Sequence, residues 1–113
     1  MDCLFCKIVS KEIEAKIAYE NEHVVAFHDL RPVAPTHVLV VPKKHVVGVG
    51  DAEPDDVEAL GQVILGARAV AEKLGLASSG YRCVLNNGVN AGQSVFHLHL
   101  HVLGGRVLTW PPG

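Results

Sequence analysis

From Phe96 to Val102 apolar residues alternate strictly with histidines: Phe96, His97, Leu98, His99, Leu100, His101, Val102. A period of two belongs to a β-strand with one face in a core. On such a strand His97, His99 and His101 share the opposite face, about 6.8 Å apart. The pattern therefore demands a sheet, and a layer covering one side of it. Three imidazoles on one rigid face point further, to a metal cage or a catalytic centre. A cage built from this strand alone is awkward. His97 and His101 would lie about 13 Å apart, and a Zn–N bond is only about 2.0–2.1 Å. Two neighbours can share a metal, but all three cannot unless the strand bends. Nucleophilic use is more economical. A neutral imidazole nitrogen attacks phosphorus and forms a covalent intermediate that water resolves. The other ring nitrogen then needs an acceptor to fix the tautomer.

The 113 residues are one domain's worth, and 1–113 is read as a single unit. A domain this size buries somewhat under about 70% of its unfolded surface, enough for its own core. With 49% hydrophobic residues the chain is not disordered. The net charge is −2 and no basic run exceeds Lys43-Lys44. Delocalised binding along duplex nucleic acid is therefore not expected. No apolar stretch approaches the about 20 residues of a membrane span. Met1 to Lys7 lacks the basic-then-apolar order of a signal peptide. Cytoplasmic residence is the default expectation. Cys3, Cys6 and Cys83 are then thiols or metal ligands rather than disulfides.

Local patterns supply the remaining elements. Residues 3–10 suit a short helical turn. Ile17–Tyr19 and Val24–Phe27 are β-prone runs around Glu20-Asn21-Glu22, which reads as a hairpin. The two prolines of Asp29–Thr36 make that segment a loop. His37–Val41 is a strand buried on both faces, limited by Pro42. One long helix is expected from Pro54 to Leu74. Pro54 suits its first turn, acidic Glu53, Asp55 and Asp56 complement its dipole, and Gly75 stops it. Its apolar stripe is read as Val57, Leu60, Ile64, Ala67, Ala71 and Leu74. Gly61 and Gly66 weaken this helix by up to about 1 kcal/mol each; close packing on a sheet is one reason to tolerate them. Tyr81–Leu85 is another strand, with Cys83 read as a small buried hydrophobe. The glycine-rich Asn86–Gln93 leads into the histidine strand and offers backbone N–H groups for phosphate oxygens, with the Ser94 hydroxyl near the leaving group. The sum is an α+β domain: a mostly antiparallel sheet of about five strands, one long helix and a short N-terminal helix.

The run Gln93 to Arg106 resembles the signature of the histidine triad (HIT) superfamily of nucleotide hydrolases and transferases. Ala26-Phe27-His28-Asp29, Ala34-Pro35-Thr36-His37, Pro42-Lys43-Lys44-His45, Gly80-Tyr81-Arg82 and Trp110-Pro111-Pro112-Gly113 are similar to its Hint branch, the purine nucleoside phosphoramidases. The third histidine is His101, where the superfamily's nucleotidyl transferases carry glutamine, so hydrolysis is implied. The resemblance implies a role for each residue. His99 attacks the α-phosphorus. His97 and His101 orient it and contact phosphate, and His37 lies beside the triad. Ser94 and Gln93 hold phosphate oxygens or help protonate the leaving amine, and Asn86 reaches the phosphate. Asp29 accepts from the ribose hydroxyls. Phe27, His28 and Leu30, with Phe5, Ile8 and Ile13, sandwich the purine; for Ile8 and Ile13 a plain core role is the alternative. The implied activity is hydrolysis of the P–N bond of adenosine or guanosine 5′-phosphoramidates, with no cofactor needed. Dinucleoside polyphosphate hydrolysis and nucleotide binding with incidental turnover are the rivals.

Cys3-x-x-Cys6 alone reads as a redox pair, a metal half-site or coincidence, and no βαβ context favours the first. A zinc site needs two more ligands. Some microbial members of the superfamily supply them from the Pro-Lys-x-His turn and the first triad histidine, here His45 and His97. That resemblance implies a structural zinc on Cys3, Cys6, His45 and His97, whereas the animal phosphoramidases tend to lack the cysteines. Trp110 sits in a proline-rich tail that cannot be regular structure. The Hint resemblance puts this tail, 104–113, at the two-fold interface of a homodimer, close to the partner's active site.

Overall fold

The computed structural model describes residues 3–113. Met1 and Asp2, the start of the segment read against a signal peptide and of the expected 1–113 unit, lie outside the described residues. Strands β1 (Ile17–Glu20), β2 (Val24–His28), β3 (Thr36–Pro42), β4 (Tyr81–Leu85) and β5 (Leu100–Gly104) form one sheet in the order β1-β2-β3-β5-β4. All four pairings are antiparallel. The hairpin between β1 and β2 closes on Asn21, whose Oδ1 accepts the N–H groups of His23 and Val24 at 2.8 and 2.9 Å. Central β3 is buried on both faces, as its unbroken apolar run requires.

Each face of the sheet has its own cover. Val24, Ala26, Val38, Val40, Leu100 and Val102 meet helix α2 (Val57–Lys73). Val25, Phe27, Leu39 and Val41 meet helix α1 (Leu4–Val9) through Phe5 and Ile8. The second face carries His37 and His101 as well, so these histidines lie on the side covered by only six helical residues.

Helix α2 follows a 3₁₀ turn at Pro54–Asp56 with a capping box, in which Asp56 Oδ2 accepts from the Glu53 N–H at 2.8 Å. Gly75, at φ +77°, ends the helix as expected, and Leu76 N–H reaches back to Ala71 O at 2.8 Å. Leu60, Ala67, Ala71 and Leu74 of the expected stripe pack on the sheet, but two members of it do not. Val57 and Ile64 are 69% and 54% exposed, and the buried face is Val63, Gly66, Ala67, Val70 and Ala71. Two overlapping stripes satisfy the helical period, and the backbone at Gly66 selects between them. A Cβ there would lie 3.0 Å from Val40 Cγ1 and 3.2 Å from Val24 Cγ2, so the helix seats its glycine on the sheet. Nothing lies within 4 Å of a Cβ built on Gly61.

Three further expectations are corrected. Regular strand begins at Leu100, not at Phe96, and Phe96 is 47% exposed. The register that pairs Val40 with Leu100 would set Pro42 opposite Leu98. Pro42 has no N–H to donate, and its carbonyl accepts from His97 Nε2 at 2.8 Å. Leu98 N–H turns to Val46 O instead. The ladder therefore stops, and of the three histidines only His101 lies in regular strand, although Leu98, Leu100 and Val102 still pack on the α2 side and His97 and His99 both meet Phe5 on the other. Cys83 is exposed rather than buried, because β4 is the outer strand of the sheet. Among the described residues no helix is long and apolar enough to cross a membrane.

Candidate functional site

The break before Leu100 divides the histidines between two sites. His97, completely buried, turns toward the N-terminal cysteines. His99 and His101 stay together, ring centroids 5.0 Å apart, and line a cavity of about 320 Å³. Phe5, Ile8, Ile13, Phe27, His28, Asp29, Leu30 and Ser94 line the same cavity. Phe5 stands edge-on to Phe27 at 5.4 Å and to His99 at 5.0 Å, so α1 supplies an aromatic wall beside the triad. Leu30 is 96% exposed at the rim.

Hydrogen bonds to backbone groups fix the ring tautomers. His99 Nδ1 lies 2.8 Å from the carbonyl oxygen of His97. A carbonyl only accepts, so Nδ1 carries the hydrogen and Nε2 of the neutral ring carries the lone pair. That lone pair is what a nucleophilic imidazole needs. His97 is held likewise. Its Nε2–H donates to Pro42 O, leaving Nδ1 bare toward the cysteines. Burial, with His99 and His37 beside it, pushes the His101 pKa down to about 4, so this ring is neutral near pH 7. Burial lowers His37 as well, against the pull of Asp29.

Asn86, Gln93, His37 and His97 do not line the cavity. Gln93 is buried, and its amide joins two loops. Oε1 accepts from Gly88 N–H at 2.8 Å, and Nε2 donates to Val47 O and Val95 O at 2.7 and 3.2 Å. Several lining residues escaped the sequence reading: Leu4, Glu14, Ala15, Lys16, Arg31, Leu39 and Val95. The period of two from His37 would have found Leu39; no local signal marks the others.

Cys3, Cys6, His45 and His97 converge, their ligand atoms all within 4.8 Å of one another. Cys3 Sγ and Cys6 Sγ lie 3.3 and 3.5 Å from His97 Nδ1. Cys6 Sγ lies 3.2 Å from His45 Nδ1, and the two Nδ1 atoms are 3.1 Å apart. A tetrahedron with Zn–N of about 2.1 Å and Zn–S of about 2.3 Å has edges of about 3.4 to 3.8 Å. Four of the six donor–donor edges, at 3.1 to 3.5 Å, match that size within a few tenths of an ångström. Their chemistry fits too: the bare Nδ1 of His97 and the Nδ1 of His45 meet two soft sulfurs, and the Cys6 N–H already donates to Cys3 Sγ at 3.3 Å. Burial and neighbouring Cys3 raise the Cys6 pKa, a cost that a cation would remove. These residues thus fit a structural metal. Asp29, His37 and His101 form a second group of potential ligands. There Val33 N–H donates to His37 Nδ1 at 3.1 Å, so Nε2 of the neutral ring keeps its hydrogen and is not a ligand atom.

Comparison with known proteins accords with this geometry. A crystal structure of a HIT family hydrolase from Legionella pneumophila is 48% identical with a TM-score of 0.96, covering 99% of this chain and 100% of that one. The histidine triad nucleotide-binding protein of Candida albicans is 33% identical with a TM-score of 0.81, over 89% and 73% of the two chains. A 14 kDa zinc-binding protein of Zea mays is 46% identical over 97% of this chain and 87% of its own length. Residues 10–108 match the HIT domain, and the chain belongs to the HIT domain family.

Proposed function

We propose that this protein is a Hint-type purine nucleoside phosphoramidase. It hydrolyses the P–N bond of adenosine or guanosine 5′-phosphoramidates to the nucleoside monophosphate and an amine. The observation that carries the reading is the tautomer of His99: Nδ1–H is committed to the His97 carbonyl, and the bare Nε2 stands beside an apolar cavity of nucleotide size. In the first step His99 Nε2 bonds to the α-phosphorus as the P–N bond breaks. The amine leaves with a proton supplied at the Ser94 hydroxyl. Water then attacks phosphorus as one of its protons restores the Ser94 hydroxyl, the bond to Nε2 breaks, and the nucleoside monophosphate departs. A fixed donor at His101 stabilises the charge on the phosphoryl oxygens. Phe5, Ile8, Ile13, Phe27 and His28 hold the base, and Asp29 accepts from the ribose hydroxyls. Asn86 reaches the phosphate. Gln93 acts by bracing the loops around Ser94, through the three hydrogen bonds of its amide.

Zinc on Cys3, Cys6, His45 and His97 supplies structure, and no step runs through it. His97 is thereby spent on the metal rather than on phosphate. Its carbonyl still orients His99. The protein acts in the cytoplasm as a homodimer, without nucleic-acid or membrane partners. The outer face of α2 (Val57, Ile64, Leu65) and exposed Tyr81 and Leu85 of β4 offer apolar surface for the second copy, and the Trp110 tail, 80% exposed in the single chain, packs there.

The test is steady-state hydrolysis of a fluorogenic adenosine 5′-phosphoramidate by wild type and His99→Ala, each with and without EDTA. At saturating substrate, turnover that survives EDTA but collapses in the mutant is expected. Turnover surviving in His99→Ala overturns the covalent mechanism. Turnover confined to diadenosine polyphosphates selects the rival hydrolase. AMP binding without turnover on any leaving group makes the protein a nucleotide-binding module.

A further inference from the structure

We propose that His37 is a positioning residue: the hydrogen bond it accepts from the Val33 N–H fixes its tautomer and thereby decides which ring nitrogen of His101 presents an N–H to the cavity. The chain of contacts is continuous. Arg106 Nη2 donates to Val33 O at 2.9 Å and holds the loop before β3. Val33 N–H donates to His37 Nδ1 at 3.1 Å. His37 Nε2 lies 2.9 Å from His101 Nδ1 and 3.5 Å from Asp29 Oδ2.

A backbone N–H only donates, so His37 Nδ1 is bare. A neutral imidazole carries one N–H, which must then sit on Nε2. That hydrogen is directed at His101 Nδ1, which is therefore bare in turn. The single N–H of His101 is left on Nε2, the side of the ring away from His37. His37 does not line the cavity, and His101 does. Asp29 reinforces the sequence as a second acceptor for the same His37 hydrogen.

The consequence is a division of labour between two chemically identical rings. His99 faces the reacting phosphorus with a lone pair, and His101 faces the phosphoryl oxygens with a hydrogen. Had His37 presented an acceptor, His101 would carry its hydrogen on Nδ1. Two bare nitrogens would then face an anionic substrate and repel its oxygens. The relay is asymmetric because it starts at a group that cannot change its role.

The first test needs no variant and no substrate. Protein labelled with 15N histidine is examined by two-bond 1H–15N correlation near pH 7.5, where bare and hydrogen-bearing ring nitrogens separate. His37 and His101 are expected as Nε2–H tautomers and His99 as Nδ1–H. His101 as the Nδ1–H tautomer overturns the proposal, whatever the enzyme hydrolyses. The second test rests on the phosphoramidase reading and uses His37→Gln, whose amide still offers a hydrogen to His101, and His37→Glu, whose carboxylate offers an acceptor. The expected result is that kcat falls about 10²–10³-fold in the Glu variant, as for loss of one fixed donor. The Gln variant should retain kcat within about tenfold, with KM changing less than kcat in both. Equal kcat losses in the two folded variants would assign His37 a purely structural role and sink the relay. If the Glu variant does not fold, the His101 tautomer in wild type and in His37→Gln decides alone.

Discussion

Replacing Gly66 and, separately, Gly61 with alanine isolates the packing that sets the helix against the sheet. Both glycines lie inside α2, so both substitutions gain the same helix propensity, about 0.8–1.0 kcal/mol. They differ in surroundings. The new methyl at 66 meets Val40 Cγ1 at 3.0 Å and Val24 Cγ2 at 3.2 Å, and both valines are completely buried in central strands. Neither can retreat without moving the sheet, and overpacking a filled core costs about 1–3 kcal/mol. The methyl at 61 meets nothing within 4 Å. Gly61→Ala is therefore expected to stabilise by nearly 1 kcal/mol and Gly66→Ala to destabilise by about 0–2 kcal/mol. The propensity terms cancel in the difference, which is the overpacking cost itself. At about 4 °C per kcal/mol for a domain of this length, the two melting temperatures should separate by about 4–12 °C. Thermal unfolding followed by circular dichroism, repeated at two protein concentrations, reads this directly. Gly61 shares the outer face with Ile64, and a concentration-dependent loss there would report contact with a second copy. Gly66→Ala as stable as Gly61→Ala at low concentration would refute the close seating of α2.

Protein purified under reducing conditions without added metal should carry about one zinc per chain by elemental analysis. Its removal by a chelator should speed amide exchange across Leu4–Val9 and weaken AMP binding, because Phe5 and Ile8 of α1 line the cavity; a folded, reduced sample holding almost no zinc would count against the site. In the chelated protein, where burial holds His97 too below the ordinary imidazole pKa, stability should be flat between about pH 7 and 8. His37 and His101 are held below the ordinary pKa of about 6.5, His101 at about 4, so the unfolded chain binds more protons between those values. Urea midpoints should therefore fall as pH drops from about 6.5 toward 4, by up to about 1.4 kcal/mol per pH unit for each ring. An unchanged midpoint between pH 7 and 5 would mean the two rings are not buried neutral. Sedimentation at micromolar concentration should give a dimer that Trp110→Ala weakens, and a monomeric wild type would remove the tail from any interface.

How far the sequence reached depends on the range of the forces involved. The hairpin at Asn21, the loop through Pro32 and Pro35, the Pro54 start and the Gly75 stop were all legible, because caps, turns and proline act within a few residues. Both faces of β3 were legible because a strand buried on two sides leaves no polar position. The alternation at 96–102 divided the side chains between the two faces but overstated the length of the strand. The two-residue period describes which side chains are apolar, not whether a neighbouring strand can continue the ladder. Pro42, 55 residues before His97, ends that ladder, and only the register of β3 against β5 reveals it. The same limit explains the stripe on α2. The chain carries two apolar stripes of equal period, and the valines facing Gly66 choose one. The family motifs identified the four residues that converge as potential metal ligands and part of the cavity lining. Residue types alone do not say which nitrogen of each ring holds its hydrogen. The backbone carbonyls of His97 and Pro42 and the N–H of Val33 decide that, and they reach the rings only once the sheet has formed.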